Sequence, residues 1–426
     1  MRLKALFEAI VSTGKIIVDN VEFDDENDKI YVDAHPYKKE RCRCGICHRK
    51  CKGYDQGEGI RLWRCNDIGA TRTYVRAAAP RVYCKQHGVV TAAVPWGRHK
   101  SRYTKAFEET LVWLTLHTSK SVVAEYLRVD WHSVGMICDR VYKELDINPT
   151  KRFDNLVNIG IDETSYTKGH NYITVILNHD NGKVIWCHKG FGSDVLDLFF
   201  KALTPEQRAS IRCVTADGAG WIRSSVERYC PNAERCIDPF HVVQWATDAL
   251  DEVRRQAWSE AHREAKKAKD SKVKDAAEKQ KKATDLKGTR YALLKNPENT
   301  SDKQKAQLEF LAQANPILYR AYLLKENLRL ALKAGPDEIE GLLKKWMSWA
   351  QRCRITVFRD LRKKIKKNLT AIIATARYGL SNARVEATNN KIKLIIRTAF
   401  GFKRTDNLIA MVMLTCSDFD IALPGR

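Results

Sequence analysis

The most constraining feature of the sequence is a series of short runs of strand-like composition, three of which stop at an aspartate. These runs cover residues 156–161, 172–177, 184–187, 212–216 and 234–237. The second and third are separated by Asp-Asn-Gly, so the first three runs predict consecutive hairpin strands of one sheet. Asp162, Asp217 and Asp238 follow the first, fourth and fifth runs. The pattern therefore predicts a sheet that presents carboxylates at one edge.

Length and charge fit a multidomain protein that binds a polyanion. A chain of 426 residues exceeds what one hydrophobic core usually serves, so about two to four domains are expected. The formal charge of +23 and the pI of 9.5 indicate nucleic acid as the partner. No apolar run approaches the ~20 residues that a bilayer crossing needs, and the N-terminus lacks a signal-peptide core. The sequence thus predicts a cytoplasmic protein without a membrane partner.

The 13 cysteines are then expected to be thiols or metal ligands rather than disulfides. Two pairs have the spacing with which a tight turn directs both side chains at one ion: Cys44 with Cys47, and Cys84 with His87. A Cys3His site for structural Zn²⁺ is predicted, because four protein ligands leave no position for water. Three other thiols could each replace one of these ligands: Cys42, Cys51 and Cys65. The alternative is that the thiols pack as small hydrophobic residues.

The region after the cysteines has the spacing of a helix-turn-helix. One helix is predicted over residues 121–127 and a second over residues 131–145, with a short turn between them. The second helix has an apolar face, and its opposite face carries side chains that suit a DNA groove. They are His132, Ser133, Met136, Arg140 and Lys143. A plain helical hairpin is the alternative; the basic composition and the adjacent zinc ribbon favour DNA binding.

The sequence after residue 245 changes to a long helical block. Residues 254–290 contain 13 Lys or Arg, 6 Asp or Glu and no proline, which predicts one long solvated helix. A surface that follows DNA phosphates is the alternative meaning of this tract. Further amphipathic helices are predicted over residues 306–332 and 339–378. An all-helical block is thus predicted to follow the sheet.

A last helix begins after residues 379–382. Its predicted buried face carries Val385, Asn389, Ile392 and Ile396. The adjoining stripe combines a carboxylate, an amide and two cations, namely Glu386, Asn390, Lys393 and Arg397. A surface helix with a salt-bridged glutamate is the alternative. Because the helix returns the chain toward the sheet, Glu386 is predicted to join Asp162 and Asp217.

Three carboxylates that lie together can hold the metal ions that catalyse phosphodiester cleavage. Two divalent cations about 4 Å apart can activate the attacking oxygen and stabilise the leaving one. Mg²⁺ prefers carboxylate and water oxygens and keeps positions open for phosphate. Asp162, Asp217 and Glu386 are therefore predicted to be catalytic residues that hold two Mg²⁺ or Mn²⁺ ions. Asp238 is followed three residues later by His241, which points toward the same edge of the sheet.

Several strings of the sequence resemble one known family. They are Gly160–Glu163 with Lys168–His170, Ala216–Ala219, Asp238–Val243, Ser381–Lys393, and Tyr83–Gly88 with Val94–Trp96. Over nearly its whole length the chain resembles the DDE transposases of the ISL-three family of bacterial insertion sequences. Carried over by position, the family's catalytic triad falls on Asp162, Asp217 and Glu386. Asp238 and His241 become candidates for supporting the metal ligands or positioning DNA, with a structural pairing as the alternative.

The resemblance implies an α/β multidomain fold. A zinc ribbon and a helix-turn-helix would precede an RNase H-like mixed sheet that an all-helical insertion interrupts. The implied domains are residues 1–95 for the N-terminal strands and zinc ribbon, 96–152 for the helix-turn-helix, 153–245 and 379–426 for the RNase H-like catalytic domain, and 246–378 for the helical insertion. The Lys-rich tract of the insertion is a departure from the family.

The resemblance also implies an activity and its partners. The protein would bind terminal inverted repeats, cut to free a 3′-hydroxyl, and transfer that hydroxyl to target DNA by direct transesterification. Asn390, Lys393 and Arg397 would join the helix-turn-helix in binding double-stranded DNA, and a homodimer or larger assembly in a bacterial nucleoid is expected. Two alternatives stay open: a DNA-binding regulator with an inactive RNase H-like domain, and a structure-specific nuclease.

Overall fold

The computed structural model of the chain describes residues 3–11, 15–146, 148–271, 275–380 and 383–421. Ser381 and Asn382, which open the last of the family-like strings, lie outside the described residues. The chain packs into two compact units, residues 1–149 with 391–426 and residues 150–390. In the described ranges, no helix combines the length and the apolar character that a membrane crossing needs.

The secondary-structure elements are numbered in chain order. The strands are β1 (Ile16–Asp24), β2 (Lys29–Pro36), β3 (Lys52–Asp55), β4 (Ile60–Arg64), β5 (Arg72–Ala78), β6 (Arg81–Cys84), β7 (Gly88–Thr91), β8 (Asn158–Thr167), β9 (Asn171–Asn178), β10 (Lys183–Lys189), β11 (Cys213–Ala216) and β12 (Glu234–Ile237). The helices are α1 (Leu3–Val11), α2 (Lys105–His117), α3 (Lys120–Tyr126), α4 (Trp131–Leu145), α5 (Ser193–Ala202), α6 (Pro205–Ser210), α7 (Gly220–Tyr229), α8 (Pro239–Asp270), α9 (Ala276–Gly288), α10 (Arg290–Leu294), α11 (Asp302–Ala314), α12 (Pro316–Ala331), α13 (Pro336–Arg352), α14 (Thr356–Lys367), α15 (Leu369–Tyr378), α16 (Ala383–Thr398) and α17 (Thr405–Cys416).

The first unit joins two small sheets to a helical part. One sheet has the strand order β1-β2-β5-β4 and the other has the order β3-β6-β7. Helices α2, α3 and α4 have side-chain caps, because Thr104, Ser119 and Asp130 each accept a backbone N–H at the helix start. Helix α17 packs against α4 and α2, so it forms part of the same helical region.

The second unit is built on a five-stranded mixed sheet with the order β10-β9-β8-β11-β12. Strands β8, β9 and β10 are antiparallel neighbours, as the Asp-Asn-Gly turn predicts, and β11 and β12 run parallel to β8. Ile159 and Ile161 of β8 lie in the core that α5 and α7 cover. Because side chains alternate along a strand, Gly160, Asp162 and Thr164 lie on the other face of β8.

One predicted strand boundary is wrong. Asp162 was expected at the end of a strand, yet β8 continues to Thr167 because β9 pairs with it that far. What ends near Asp162 is the pairing of β8 with β11, whose last pair joins Gly160 to Thr215. The aspartate thus follows the end of the parallel pairing rather than the end of the strand itself.

The basic tract is also not one helix. It is divided between α8 and α9, which pack against each other. Small side chains suit this close packing, since Ala261, Ala265 and Ala283 are all buried. Between β12 and α16 the described residues form helices without a strand, and most of these helices share one hydrophobic core.

Candidate metal centre and candidate active site

Cys44, Cys47, Cys84 and His87 come together in the first unit, with all their ligand atoms within 4.8 Å of one another. The sulfur atoms of Cys47 and Cys84 are 3.8 Å apart. Nδ1 of His87 is 3.5 Å from the sulfur of Cys44 and 3.6 Å from that of Cys84. Tetrahedral Zn²⁺, with bonds of about 2.3 Å to sulfur and about 2.0 Å to nitrogen, separates its ligand atoms by about 3.5–3.8 Å. The donor set therefore fits zinc.

The backbone presents these ligands from two turns. The turn between β6 and β7 supplies Cys84 and His87, and a second turn, which an isolated bridge between Arg43 and Lys50 closes, supplies the other pair. A hydrogen bond from the backbone of Gln86 is the main reason that the pKa of Cys84 is lowered, to about 6. A lowered pKa favours the thiolate, which is the form that binds metal.

Of the three alternative thiols, Cys42 and Cys65 lie apart from this group and Cys51 lies beside it. Cys65 is buried in the core beside Trp63, and Cys42 is exposed. Cys51 donates a hydrogen bond to the carbonyl of Arg49 at 3.3 Å. Burial and the neighbouring thiols of Cys84 and Cys44 raise its pKa, so Cys51 is next to the cluster although it is not one of the four grouped ligands. Among the described residues, the Cys3His set is the one group of its kind.

The parallel strands of the second unit align three aspartates. β11 pairs in register with β8 on one side and with β12 on the other. Continuing that register by a residue or two places Asp162, Asp217 and Asp238 in one row across three strands. Burial is the main cause of the raised pKa of Asp162, and the negative charge of Asp217 raises that pKa further. Asp217 therefore lies close enough to Asp162 for its charge to act on the Asp162 carboxyl group.

Helix α16 lies against the face of β8 that carries Asp162. Nδ2 of Asn389 donates a hydrogen bond to Oδ2 of Asp162 at 2.5 Å, and Oδ1 of Asn389 accepts one from the Thr164 hydroxyl at 2.6 Å. One turn earlier, Val385 packs at Gly160, where an added Cβ would lie 2.7 Å from Val385 Cγ2. Helix α16 therefore contacts Gly160, Asp162 and Thr164, which are the three successive residues on one face of β8.

Glu386 lies in the first turn of α16 and its side chain is exposed. It precedes Asn389 by three residues, and residues with that spacing have Cβ atoms about 5–6 Å apart on a helix. Glu386 is thus next to the residue that holds Asp162. In the described part of the chain, Asp162, Asp217 and Glu386 are not as tightly grouped as the Cys3His ligands. Two ions about 4 Å apart need a wider set of ligands than one ion does, and carboxylates are the donors that Mg²⁺ prefers.

Asp238 and His241 lie at the start of α8. Asp238 caps this helix, since its Oδ1 accepts the N–H of Phe240 at 2.7 Å, and Pro239 occupies the first helical position. Burial raises the pKa of Asp162, and attraction to His241 opposes that shift. His241 is therefore near Asp162, whereas the contacts of Asp238 fit a helix cap.

Two residues of this site were missed by sequence reasoning. Glu163 adds another carboxyl group: burial raises its pKa to about 7, and the charges of Asp217 and Asp162 act in the same direction. Asn389 was predicted only as part of a buried face, although it is the residue that contacts Asp162. A polar amide on an otherwise apolar helix face was the signal that could have found it.

The predicted DNA-binding side chains differ in their availability. His132 and Ser133 lie in the first turn of α4, and Lys143 is exposed but pairs with an aspartate one turn earlier at 2.7 Å. Arg140 is half-buried, and its guanidinium pairs with the buried carboxylate of Glu108. Three predicted contacts on α16 are exposed: Asn390, Lys393 and Arg397.

A Gly160→Ala substitution is expected to weaken the contact between α16 and β8. The new Cβ would meet Val385 at 2.7 Å and His179 Nε2 at 2.9 Å, and overpacking of this kind costs about 1–3 kcal/mol. Urea unfolding should show that loss. Gly220→Ala is the matched control, because nothing lies within 4 Å of a Cβ there; equal stability of the two variants would contradict the packing argument.

His179 is expected to make the second unit sensitive to acid. It is 1% exposed, and its Nε2 lies 2.6 Å from the Thr215 hydroxyl. Burial, assisted by the positive charge of Arg384, lowers its pKa from 6.5 to about 4. Between pH 6.5 and 4 the histidine is protonated in the unfolded chain but not in the folded one, so acid favours the unfolded chain. The free energy of unfolding should therefore fall by about 3 kcal/mol as the pH drops from 6.5 to 4.

Denaturant titrations of the wild type and of His179→Gln across this pH range measure that contribution. The stability difference between the two proteins should shrink or reverse toward pH 4, because the variant has no histidine to protonate there. A difference that does not change with pH would rule out the buried neutral histidine.

Comparisons with known proteins agree with these features. The family model described as "Transposase" matches residues 159–412, the model "Helix-turn-helix domain of transposase family ISL3" matches residues 92–142, and the model "zinc-finger of transposase IS204/IS1001/IS1096/IS1165" matches residues 40–87. The chain is 44% identical over its full length to the transposase for insertion sequence element IS1557 of Mycobacterium tuberculosis and covers 98% of that protein. It is 24% identical to the transposase for insertion sequence element IS1001 of Bordetella parapertussis, over 84% of this chain and 85% of that one.

These matches define the class of the protein, a transposase with a zinc finger and a helix-turn-helix domain. Within that class, the chain belongs to the ISL3 family of transposases. The predicted family, zinc ribbon and helix-turn-helix are thereby confirmed.

Proposed function

We propose that this transposase cuts DNA at the ends of an insertion sequence and joins the freed 3′ ends to target DNA, and that the acidic edge of its mixed sheet is the active site. The observation that carries the proposal is the hydrogen bond from Asn389 to Asp162. It ties the helix of Glu386 to the strand of Asp162, beside the strand that leads to Asp217.

The arrangement of the sheet supports an RNase H-like catalytic domain. Three antiparallel strands are followed by two strands parallel to the first, with helices between them. We assign residues 153–245 and 379–390 to this domain and residues 246–378 to a helical insertion. Residues 391–426, which the resemblance places in the same domain, belong to the first unit, where α17 packs against α2 and α4. Residues 1–95 and 96–152 would form the zinc-binding and helix-turn-helix domains.

Asp162, Asp217 and Glu386 would hold two Mg²⁺ or Mn²⁺ ions. When bound, such ions activate the attacking oxygen and neutralise charge that develops at the phosphate. The residues around them have separate tasks: Asn389 fixes the orientation of Asp162 through its amide, and His241 supplies a donor next to the same carboxylate. Because the attacking groups are water and a DNA 3′-hydroxyl, no Ser or Tyr nucleophile is needed.

DNA recognition would be divided between the two kinds of domain. The zinc ribbon and helix-turn-helix would bind the terminal inverted repeats, with phosphate contacts supplying affinity and groove contacts supplying sequence preference. The charge of +23 suits this role. Cutting two ends together calls for at least a dimer on DNA.

The proposal is tested with short DNA ends that carry either a 3′-hydroxyl or a 3′-deoxy terminus, incubated with the full chain, Mg²⁺ and a supercoiled target plasmid. The hydroxyl ends should be joined to the plasmid and the deoxy ends should not. Cutting without joining of either end would favour a structure-specific nuclease. Binding without any reaction would favour a DNA-binding regulator.

A further inference from the structure

A tryptophan of α8 lies directly against the residue that follows Asp217. A Cβ added to Gly218 would be 2.2 Å from Cζ2 of Trp245, so only glycine allows this approach. Trp245 and His241 are four residues apart and therefore lie on the same face of α8. One face of this helix thus borders the acidic edge with both an imidazole and an indole.

A lysine of α14 lies over the indole ring of Trp245. Nζ of Lys364 is 3.8 Å from the centre of the Trp245 ring, a distance at which the ring attracts the cation. Within the described residues Lys364 forms no ion pair, whereas its neighbour Lys363 pairs with Asp360 at 2.8 Å. The ammonium group of Lys364 is therefore positioned by a ring and retains its hydrogen-bond donors.

The surroundings of Lys364 are those of a cation near the candidate metal site. Burial lowers its pKa, and the negative charges of Asp217 and Asp248 oppose that shift. If Asp217 binds metal ions, their charge offsets the attraction between Asp217 and the lysine. The ammonium group can then bind another anion, and the anions that DNA brings to such a site are backbone phosphates.

We propose that Lys364, held on the ring of Trp245 beside Gly218, is a binding site for a backbone phosphate of the DNA strand that is cut. This inference rests on the proposed function, because it assumes that DNA enters the site formed by Asp162, Asp217 and Glu386. The helices that follow the sheet would then contribute to the active site, because α14 supplies the cation and α8 supplies the ring over which the cation lies.

The test uses the full chain, Mg²⁺ and DNA ends in which one backbone phosphate at a time near the cut is replaced by an uncharged methylphosphonate. For wild type, one replacement should weaken binding or slow cleavage about tenfold or more, as expected for loss of one charge-assisted contact. With unmodified DNA, Lys364→Gln should lose binding or cleavage to a similar extent. When the DNA carries the methylphosphonate at the sensitive position, Lys364→Gln should show no additional loss. Lys364→Arg should restore most of the activity.

Lys363→Gln is the matched control, since it removes an exposed lysine from the same helix turn; it should behave like wild type at every position. If Lys364→Gln reduces cleavage and every methylphosphonate adds its full effect, the lysine only balances the charge of Asp217 and the proposal is overturned. A Lys364→Gln variant with wild-type cleavage also overturns it, and the proposed function stands. Failure of wild type to cut any DNA end would instead refute the proposed function.

Discussion

Asp162→Asn is expected to reduce DNA cleavage by at least about 10³-fold while leaving DNA binding intact. Metal ions at a phosphoryl centre contribute several kcal/mol of transition-state stabilisation, and each 1.36 kcal/mol is a factor of ten in rate. An amide at residue 162 would lose the charge that holds the ions. Single-turnover cleavage of a labelled DNA end measures the rate, and a gel-shift assay measures binding.

The stability of the Asp162→Asn variant separates loss of catalysis from loss of folding. Burial disfavours the charged form of Asp162, which favours an amide, but both carboxylate oxygens accept hydrogen bonds, one from the backbone N–H of Glu163 and one from Asn389. The amide keeps only one of these acceptors, so urea unfolding of the variant is measured beside its activity. Asp194→Asn, which changes an exposed aspartate of α5 in the same unit, is the control and should cut at the wild-type rate. Normal cleavage by Asp162→Asn would exclude this carboxylate from catalysis.

Removal of zinc is expected to unfold the ribbon around β6 and β7. Structural zinc sites bind with apparent free energies of about 10–16 kcal/mol, which is as large as the whole stability of a typical domain. Cys84→Ser should therefore eliminate the bound zinc and reduce specific binding to transposon ends. Metal analysis of purified protein and protease sensitivity of residues 40–95 measure the two effects.

Cys42→Ser is the matched control for the zinc prediction. Cys42 is exposed and lies outside the cluster, so this variant should retain one zinc ion per chain. Loss of zinc from Cys42→Ser together with retention by Cys84→Ser would show that the ligand set is wrong. Wild-type folding after chelation would show that the ribbon does not depend on the metal.

Features that depend on local sequence could be predicted without the structure. The strands around Asp162 and Asp217 follow from β-branched runs and turn residues, and the Cys44 to His87 set follows from ligand spacing. Contacts between distant parts of the chain could not be predicted in this way. Asn389 and Asp162 are 227 residues apart, and nothing local to either residue indicates that α16 crosses the face of β8.

The division of the basic tract illustrates the same limit. Its composition predicts a solvated helix, and the charged faces of α8 and α9 are solvated as expected. What the composition does not reveal is that alanines such as Ala261 and Ala283 allow the two helices to pack together. Likewise, Gly218 has no local reason to be glycine until Trp245 is placed against it.

The convergence of Asp162, Asp217 and Glu386 on paired metal ions is tested most directly by anomalous diffraction from crystals of the protein bound to a DNA end with Mn²⁺. Two manganese peaks about 4 Å apart are expected, with carboxylate oxygens of all three residues about 2.2 Å from the ions. Manganese bound elsewhere, or a site in which Glu386 contacts neither ion while DNA is in place, would contradict the account.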